Sequence, residues 1–100
     1  MNIKLISRDK EGELLMEGEL DTQTAPEAEK IFEQMTERFD SLILDMGKLA
    51  YVSSAGLRAI KNLYLKMRAK KGKLALKNVN KNVMEVFEIT GFAGMLTFIK

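Results

Sequence analysis

The segment from Leu42 to Ile60 constrains the fold of this chain most strongly. Its first residues are apolar and predict a buried strand that ends near Asp45, and Ser53 and Ser54 follow after a short loop. Apolar side chains then recur at helical spacing, so the two serines stand at the start of a predicted helix. A helix N-terminus has unpaired backbone N–H groups and the positive end of the helix dipole. The sequence therefore presents a serine hydroxyl where a phosphate could be accommodated.

The N-terminal part of the chain predicts a hairpin followed by a helix. Apolar and polar residues alternate on both sides of the charged connection from Asp9 to Gly12, which is typical of two paired strands. The residues from Thr24 to Glu27 match a capping box, and Pro26 lies within the first turn of the helix that this box begins. The apolar stripe of that helix is Ala28, Ile31, Phe32 and Met35.

The middle of the chain predicts a strand and the helix that follows the two serines. Ser41 to Met46 is short and apolar, which favours a central strand covered on both faces. The helix runs from about Ser54 to Lys71. We expect Gly72 to end it in the left-handed conformation.

The C-terminal part predicts another strand, a third helix and a short closing strand. Lys73 to Asn78 alternates as a strand does, and the third helix extends from a cap at Asn80 to a stop near Gly91. Leu96 to Ile99 could form the closing strand. Helices interleaved with strands after a hairpin predict an α/β fold with a mixed sheet of four to five strands and three to four helices, packed mainly on one face.

Length and composition predict one domain, residues 1–100, with one core. The chain has no cysteine and no histidine, so it lacks disulfides, thiolate chemistry and the commonest general base and metal ligand. The longest apolar run, Leu49 to Val52, is too short to span a bilayer, and the N-terminus does not resemble a secretory signal. We therefore expect a cytoplasmic protein without a cofactor, and a net charge of +2 does not by itself indicate nucleic acid binding.

Two interpretations of Ser53 and Ser54 remain open from the residues alone. One of the hydroxyls could only cap the helix, because serine is among the best N-cap residues. One of them could instead be chemically modified or act as a nucleophile. A strand, a turn and a serine also begin the active site of many hydrolases, but that chemistry needs a histidine, which this chain lacks. The spacing of Ser7 and Lys10 matches a serine–lysine pair only formally, since it lies near a strand end.

Asp21 and Asp45 each follow a predicted strand and could share one edge of the sheet with Ser54. Loop carboxylates also commonly accept hydrogen bonds from nearby backbone N–H groups, so a purely local role is the alternative. Two carboxylates without a histidine do not predict a metal site. The basic residues between Lys66 and Lys73 mostly lie where cations stabilise the end of a helix, and no aromatic residues are interleaved for stacking on bases.

Five short motifs, in order along nearly the whole chain, resemble those of STAS domains of the anti-sigma factor antagonist type. They are Gly18-Glu19-Leu20-Asp21 with Thr24-Ala25, Leu44-Asp45, Val52 to Leu57, Lys71 to Leu74, and Phe87 to Phe92. The resemblance implies a bacterial signalling protein that regulates transcription and is not an enzyme. Its partner would be a serine kinase that is also an anti-sigma factor, and a phosphatase could reset the switch.

The resemblance also implies which residues take part. Ser54 matches the phosphorylated serine, and Ser53 is the alternative acceptor. The implied contact residues for the partner are Asp21, Thr22, Asp45, Ser53, Ala55, Gly56 and Arg58. A scaffold subunit of a signalling assembly or of a phospholipid-transport complex, with Ser54 only a cap, is the alternative function. The sequence does not distinguish a monomer from a weak dimer.

Overall fold

The computed structural model describes residues 1–99, and its elements alternate as the sequence predicts. They are β1 (Asn2–Arg8), β2 (Glu11–Leu20), α1 (Ala25–Arg38), β3 (Ser41–Val52), α2 (Ser54–Ala69), β4 (Lys73–Lys77), α3 (Lys81–Thr90), a 3₁₀ turn (Phe92–Gly94) and β5 (Thr97–Ile99). The opening hairpin and the closing strand are both present.

The five strands form one sheet in the order β1-β2-β3-β4-β5. The hairpin strands β1 and β2 are antiparallel, and each later strand pairs in parallel with the one before it. Each helix therefore connects neighbouring parallel strands in the same direction across the sheet. Because such crossovers are right-handed, all three helices lie on one face. The predicted fold class, α/β with a mixed sheet, is confirmed.

The core lies between this face of the sheet and the helices. Leu14, Leu44 and Leu76 point into it from the three central strands, and all are at most 1% exposed. The apolar stripe predicted for α1 faces the core: three of its members are buried and Ile31 is partly buried against them. Burial of this apolar surface is the main favourable term in the folding of the domain.

The other face of the sheet has no helix, so the prediction that β3 is covered on both faces is wrong. Ile43 is only half-buried there, although its neighbours in β3 are fully buried on the helical side. Glu13 is also on this open face, where it is only 6% exposed. Its carboxylate oxygens lie 3.3 Å from Lys77 Nζ and 3.9 Å from Arg8 Nη1. These ion pairs, and not a second layer of helices, cover this part of the sheet.

β3 is longer than predicted, because the expected loop after Asp45 is the second half of the strand. β2 extends to Leu20 and gives β3 a partner as far as Val52. The ladder between them has two irregularities, and Gly18 next to one of them has a φ of 109°. Glycine adopts such a φ without strain. The extension carries Ser53 well beyond the point where β4 stops pairing with β3, at Asp45.

The end of α2 corrects the prediction for Gly72. The left-handed residue is Lys71, with a φ of 60°. Two hydrogen bonds of a Schellman motif end the helix: Gly72 N donates to Met67 O at 2.7 Å, and Lys71 N donates to Arg68 O at 3.0 Å. Glycine is needed at position 72 for space, because a Cβ there would lie 2.7 Å from Asp40 O.

Both predicted ends of α3 are confirmed. Asn80 Oδ1 accepts a hydrogen bond from Val83 N at 2.8 Å, as an N-cap does. Gly91 follows the last turn with a φ of 81°. Asn80 also donates from Nδ2 to Leu49 O at 3.1 Å, which attaches the start of α3 to the extended part of β3.

Candidate functional site

The start of α2 gives its two serines different roles. Ser53 is the N-cap, with extended backbone, and its Oγ accepts a hydrogen bond from Gly56 N at 3.3 Å. Ser54 is the first helical residue and is exposed. Among residues 1–99, its hydroxyl has no hydrogen-bond partner within the protein. Ser53 Oγ is thus engaged in holding the helix, whereas Ser54 Oγ is accessible to another molecule.

The ends of β2 and β3 fix the position of these serines. Val52 pairs with Leu20, and Ser53 N donates to Leu20 O at 2.9 Å. Gly56, in the first turn of α2, is buried against the same residue: a Cβ there would lie 2.6 Å from Leu20 O and 2.8 Å from Leu20 Cγ. A side chain at position 56 would push α2 away from the end of β2. Gly56 therefore positions the site and is itself covered.

Asp21 directly follows β2, as predicted, and organises the turn into α1. Its Oδ1 accepts from Gln23 N at 3.0 Å and Thr24 N at 3.1 Å, and its carbonyl accepts from Ala25 N at 2.8 Å. The hydrogen bond from Thr24 N, with that from Gln23 N, lowers the pKa of Asp21. The carboxylate is therefore a fixed anion, and it directly follows Leu20, the residue whose carbonyl accepts from Ser53 N.

The predicted capping box at Thr24 is wrong. Thr24 has helical backbone angles and makes no side-chain cap; its Oγ1 instead accepts from Asp21 N at 2.9 Å and donates to Glu19 O at 2.8 Å. The backbone N–H groups of this turn donate to the carboxylate of Asp21 and not to the side chain of Thr24. An aspartate three residues before the threonine was the signal in the sequence, since such carboxylates often bond to the backbone just ahead of them.

Asp45 does not join Asp21 and Ser54, so the predicted common edge is wrong for this residue. It lies seven residues before the end of β3, about 20 Å from that end at the rise of a strand. Its Oδ1 accepts from Gly47 N at 3.0 Å and Asn78 Nδ2 at 3.1 Å, which ties β3 to the turn after β4. The loop expected after Asp45 is strand, and this separates the two carboxylates.

The other predicted contact residues lie around Ser54. Thr22 and Arg58 are exposed, and Ala55 is half-buried. Lys61, which the sequence analysis did not single out, lies with Nζ 5.8 Å from the centre of the Phe92 ring. The signal for Lys61 was its spacing of seven residues from Ser54, which is two turns of a helix.

This arrangement suits binding and modification. Within residues 1–99 no group of three or more acidic side chains could hold a metal ion. Over the same residues no helix combines the length and the apolar character needed to cross a bilayer. The site consists of an accessible hydroxyl, a helix N-terminus and a fixed carboxylate, all at one end of the sheet.

The fold is that of the STAS domain. The family model for the STAS domain matches residues 4–100, and the chain belongs to this family. An anti-sigma-B factor antagonist of Listeria monocytogenes is 26% identical over 101 residues, a match that covers 96% of this chain and 88% of that protein. BtrV of Bordetella bronchiseptica, provisionally named an anti-sigma factor antagonist, is 45% identical over 51 residues, 51% of this chain and 44% of BtrV.

Solved structures of anti-sigma factor antagonists share the fold. The unphosphorylated form of SpoIIAA superimposes with a TM-score of 0.80 at 15% identity, covering 99% of this chain and 88% of that one. A Thermotoga maritima protein provisionally assigned to the same class gives a TM-score of 0.92 at 18% identity, covering 98% and 86%. At these identities the structures establish the fold alone.

Proposed function

We propose that this protein is a cytoplasmic anti-sigma factor antagonist controlled by phosphorylation of Ser54. Unphosphorylated, it binds an anti-sigma factor that is also a serine kinase, and so releases a sigma factor. The kinase phosphorylates Ser54 and thereby ends the complex. The protein acts by binding and is the substrate, not the catalyst, of this reaction.

The accessible hydroxyl of Ser54 carries this proposal. A kinase must bring its catalytic groups to the acceptor oxygen, and Ser54 Oγ is exposed with no partner among residues 1–99. Ser53 is a poorer acceptor, because it is half-buried and its oxygen caps α2. The name of the Listeria relative, an anti-sigma-B factor antagonist, supports the class of partner.

The free domain tolerates the phosphate, whereas the complex does not. A phosphate adds about −1.5 to −2 charges at pH 7, and the first turn of α2 stabilises an anion there. In the complex the same anion loses its water and lies beside the fixed carboxylate of Asp21. A penalty of about 3 kcal/mol would weaken binding about 100-fold.

The contact surface we propose is centred on Ser54. It includes Thr22 with Asp21 on one side and Arg58 on the other, and Ala55 and Ser53 contribute their accessible edges. Gly56 supports this surface from below, and Asp45 lies too far along β3 to belong to it.

Intact mass spectrometry tests this function. The protein is incubated with ATP and each purified kinase-type anti-sigma factor of its own genome. We expect one phosphate on the wild type and on Ser53→Ala, and none on Ser54→Ala. We also expect Ser54→Ala to bind the kinase in the presence of ATP and Ser54→Asp not to bind it.

Two results would contradict the proposal. If no such kinase binds or modifies the wild type, the scaffold function gains support. If Ser54→Ala and Ser54→Asp bind equally, the domain binds a partner but is not switched at this residue.

A further inference from the structure

The outer ridge of α2 carries only positive charge. Starting from Ser54, the residues at the spacing of one helix face are Arg58, Lys61, Leu65 and Arg68; Lys61 is half-buried and the others are exposed. The ridge is about 20 Å long at the rise of a helix. The whole of α2 has four basic residues and no acidic one.

The cations of this ridge form no ion pairs within the described part of the chain. Lys66, on the flank of α2, pairs with Glu33 of α1 at 3.3 Å. For Arg58, Lys61 and Arg68, no carboxylate of residues 1–99 lies within 4 Å. Lys61 is held over the Phe92 ring, an arrangement that orders its side chain without neutralising it.

The stability of α2 does not account for this distribution of charge. Cations stabilise the C-terminal end of a helix and are unfavourable near the N-terminal end. Arg68 is in the last turn and follows this rule. Arg58 is one turn from the start of α2, whose first turn has no acidic residue, so it adds to a positive potential that the helix already has there.

We infer that this ridge is the docking surface for an acidic face of the partner protein, with Arg58 and Lys61 as the main electrostatic contacts. The inference rests on the proposed function and names the chemistry of that partner. Carboxylates of the partner would pair with these two cations, and an apolar side chain would cover Leu65, which is 45% exposed.

The ridge also explains why the phosphate would act so strongly. Ser54 and Arg58 are four residues apart and therefore neighbours on the helix surface. A phosphate on Ser54 would place about −1.5 to −2 charges at the end of the ridge and pair with Arg58. It would remove the attraction for the partner and add repulsion of the partner's carboxylates.

A protein fits this surface better than nucleic acid. Glutamates of α1 lie along the groove beside the ridge, where Glu29 and Glu33 line a cavity of about 440 Å³ together with Leu65. A phosphate backbone that follows α2 carries evenly spaced charges and would meet these carboxylates, whereas a protein can present carboxylates to Arg58 and Lys61 alone. The ridge also has no aromatic side chain on which bases could stack.

The test measures association rates with the anti-sigma factor kinase that phosphorylates Ser54, at about 50 and about 500 mM NaCl. We expect the wild-type rate to fall steeply with salt. Arg58→Glu and Lys61→Glu should each lower the low-salt rate about tenfold and flatten its salt dependence. Lys73→Glu, the same charge change on the open face of the sheet, is the matched control and should stay within about twofold. Thermal melting checks that each variant is folded.

Several outcomes would overturn the inference. A wild-type rate that does not depend on salt would do so, and so would a rate for Arg58→Glu equal to that of Lys73→Glu. Phosphorylation of Ser54 would still be seen by mass in these cases, so the proposed function would stand. Binding of a fluorescent DNA duplex that is lost in Arg58→Glu would assign the ridge to nucleic acid. If no kinase binds the wild type, both proposals fail together.

Discussion

Helices α1 and α2 begin side by side at the same end of the sheet, but their first turns have opposite charge. The turn into α1 contains the fixed carboxylate of Asp21, and Glu27 follows in the first turn. α2 begins with two serines and has no acidic residue in its first turn. The N-terminal end of α1 thus already has acidic side chains next to it, whereas the first turn of α2 has none. For this reason we expect the free domain to stay folded when a phosphate is added to Ser54.

The largest effect on stability should come from the close contact between Gly56 of α2 and Leu20 at the end of β2. Gly56→Ala would place a Cβ 2.6 Å from Leu20 O, a backbone atom that cannot move away easily. The free energy of unfolding should fall by about 2 kcal/mol, as for other overpacked sites. Denaturant unfolding measures this. Gly94→Ala is the control, since a Cβ there meets nothing within 4 Å and the φ of that glycine lies outside the left-handed region. Equal stability of both variants would contradict a tight contact at Gly56.

A smaller effect separates the two serines of α2. Ser53→Ala removes the N-cap and should cost about 1 kcal/mol of unfolding free energy, because Gly56 N loses its acceptor. Ser54→Ala removes a hydroxyl without a partner among residues 1–99 and should stay within about 0.5 kcal/mol. Thermal melts of the two variants measure this difference. If Ser54→Ala were the more destabilised, the assignment of Ser53 as the N-cap would be wrong.

A negative charge at the start of α2 should stabilise the free domain slightly. Ser54→Asp places a carboxylate at the positive end of the helix dipole, which typically contributes about 0.5 kcal/mol. Its melting temperature should be equal to or above that of Ser54→Asn, the uncharged control. A melting temperature clearly below the control would mean that the free domain does not tolerate an anion there.

The smallest effect should come from the charge of Asp21, and it depends on pH. Asp21→Asn keeps an oxygen acceptor and removes only the charge. Because the pKa of Asp21 is lowered in the folded state, the carboxylate stabilises the fold above its unfolded pKa of about 3.8. That stabilisation disappears as the pH falls through the folded pKa. The wild type should therefore melt above Asp21→Asn near neutral pH, with the difference vanishing in acid. A difference that does not change with pH would contradict the lowered pKa.

Local signals were enough to predict most of the fold. The hairpin, the order of strands and helices, and both ends of α3 depend on residues close together in the chain, such as Asn80 and Val83. The second half of β3 depends on a partner more than thirty residues away, since Val52 pairs with Leu20. Sequence patterns near Val52 do not contain that information, and for this reason the strand was predicted to end at Asp45.

Only part of the site was predicted, because some of its residues depend on contacts with distant parts of the chain. Ser54 and Asp21 lie at the ends of elements that their own neighbours define, so the sequence indicated both. The roles of Thr24 and Gly72 depend on which atoms approach them in three dimensions, namely Glu19 O and Asp40 O. Residue type alone suggested a cap and a left-handed turn, and neither is present at these positions.

The placement of all three helices on one side of the sheet has a consequence for how far a modification of Ser54 can be sensed. Glu13 and its ion pairs occupy the opposite side, and Asp45 is about 20 Å along β3 from the end that is followed by Ser54. At physiological ionic strength, charge is screened over about 8 Å. A molecule bound near Asp45 would therefore encounter the same local electric field before and after a phosphate is added to Ser54.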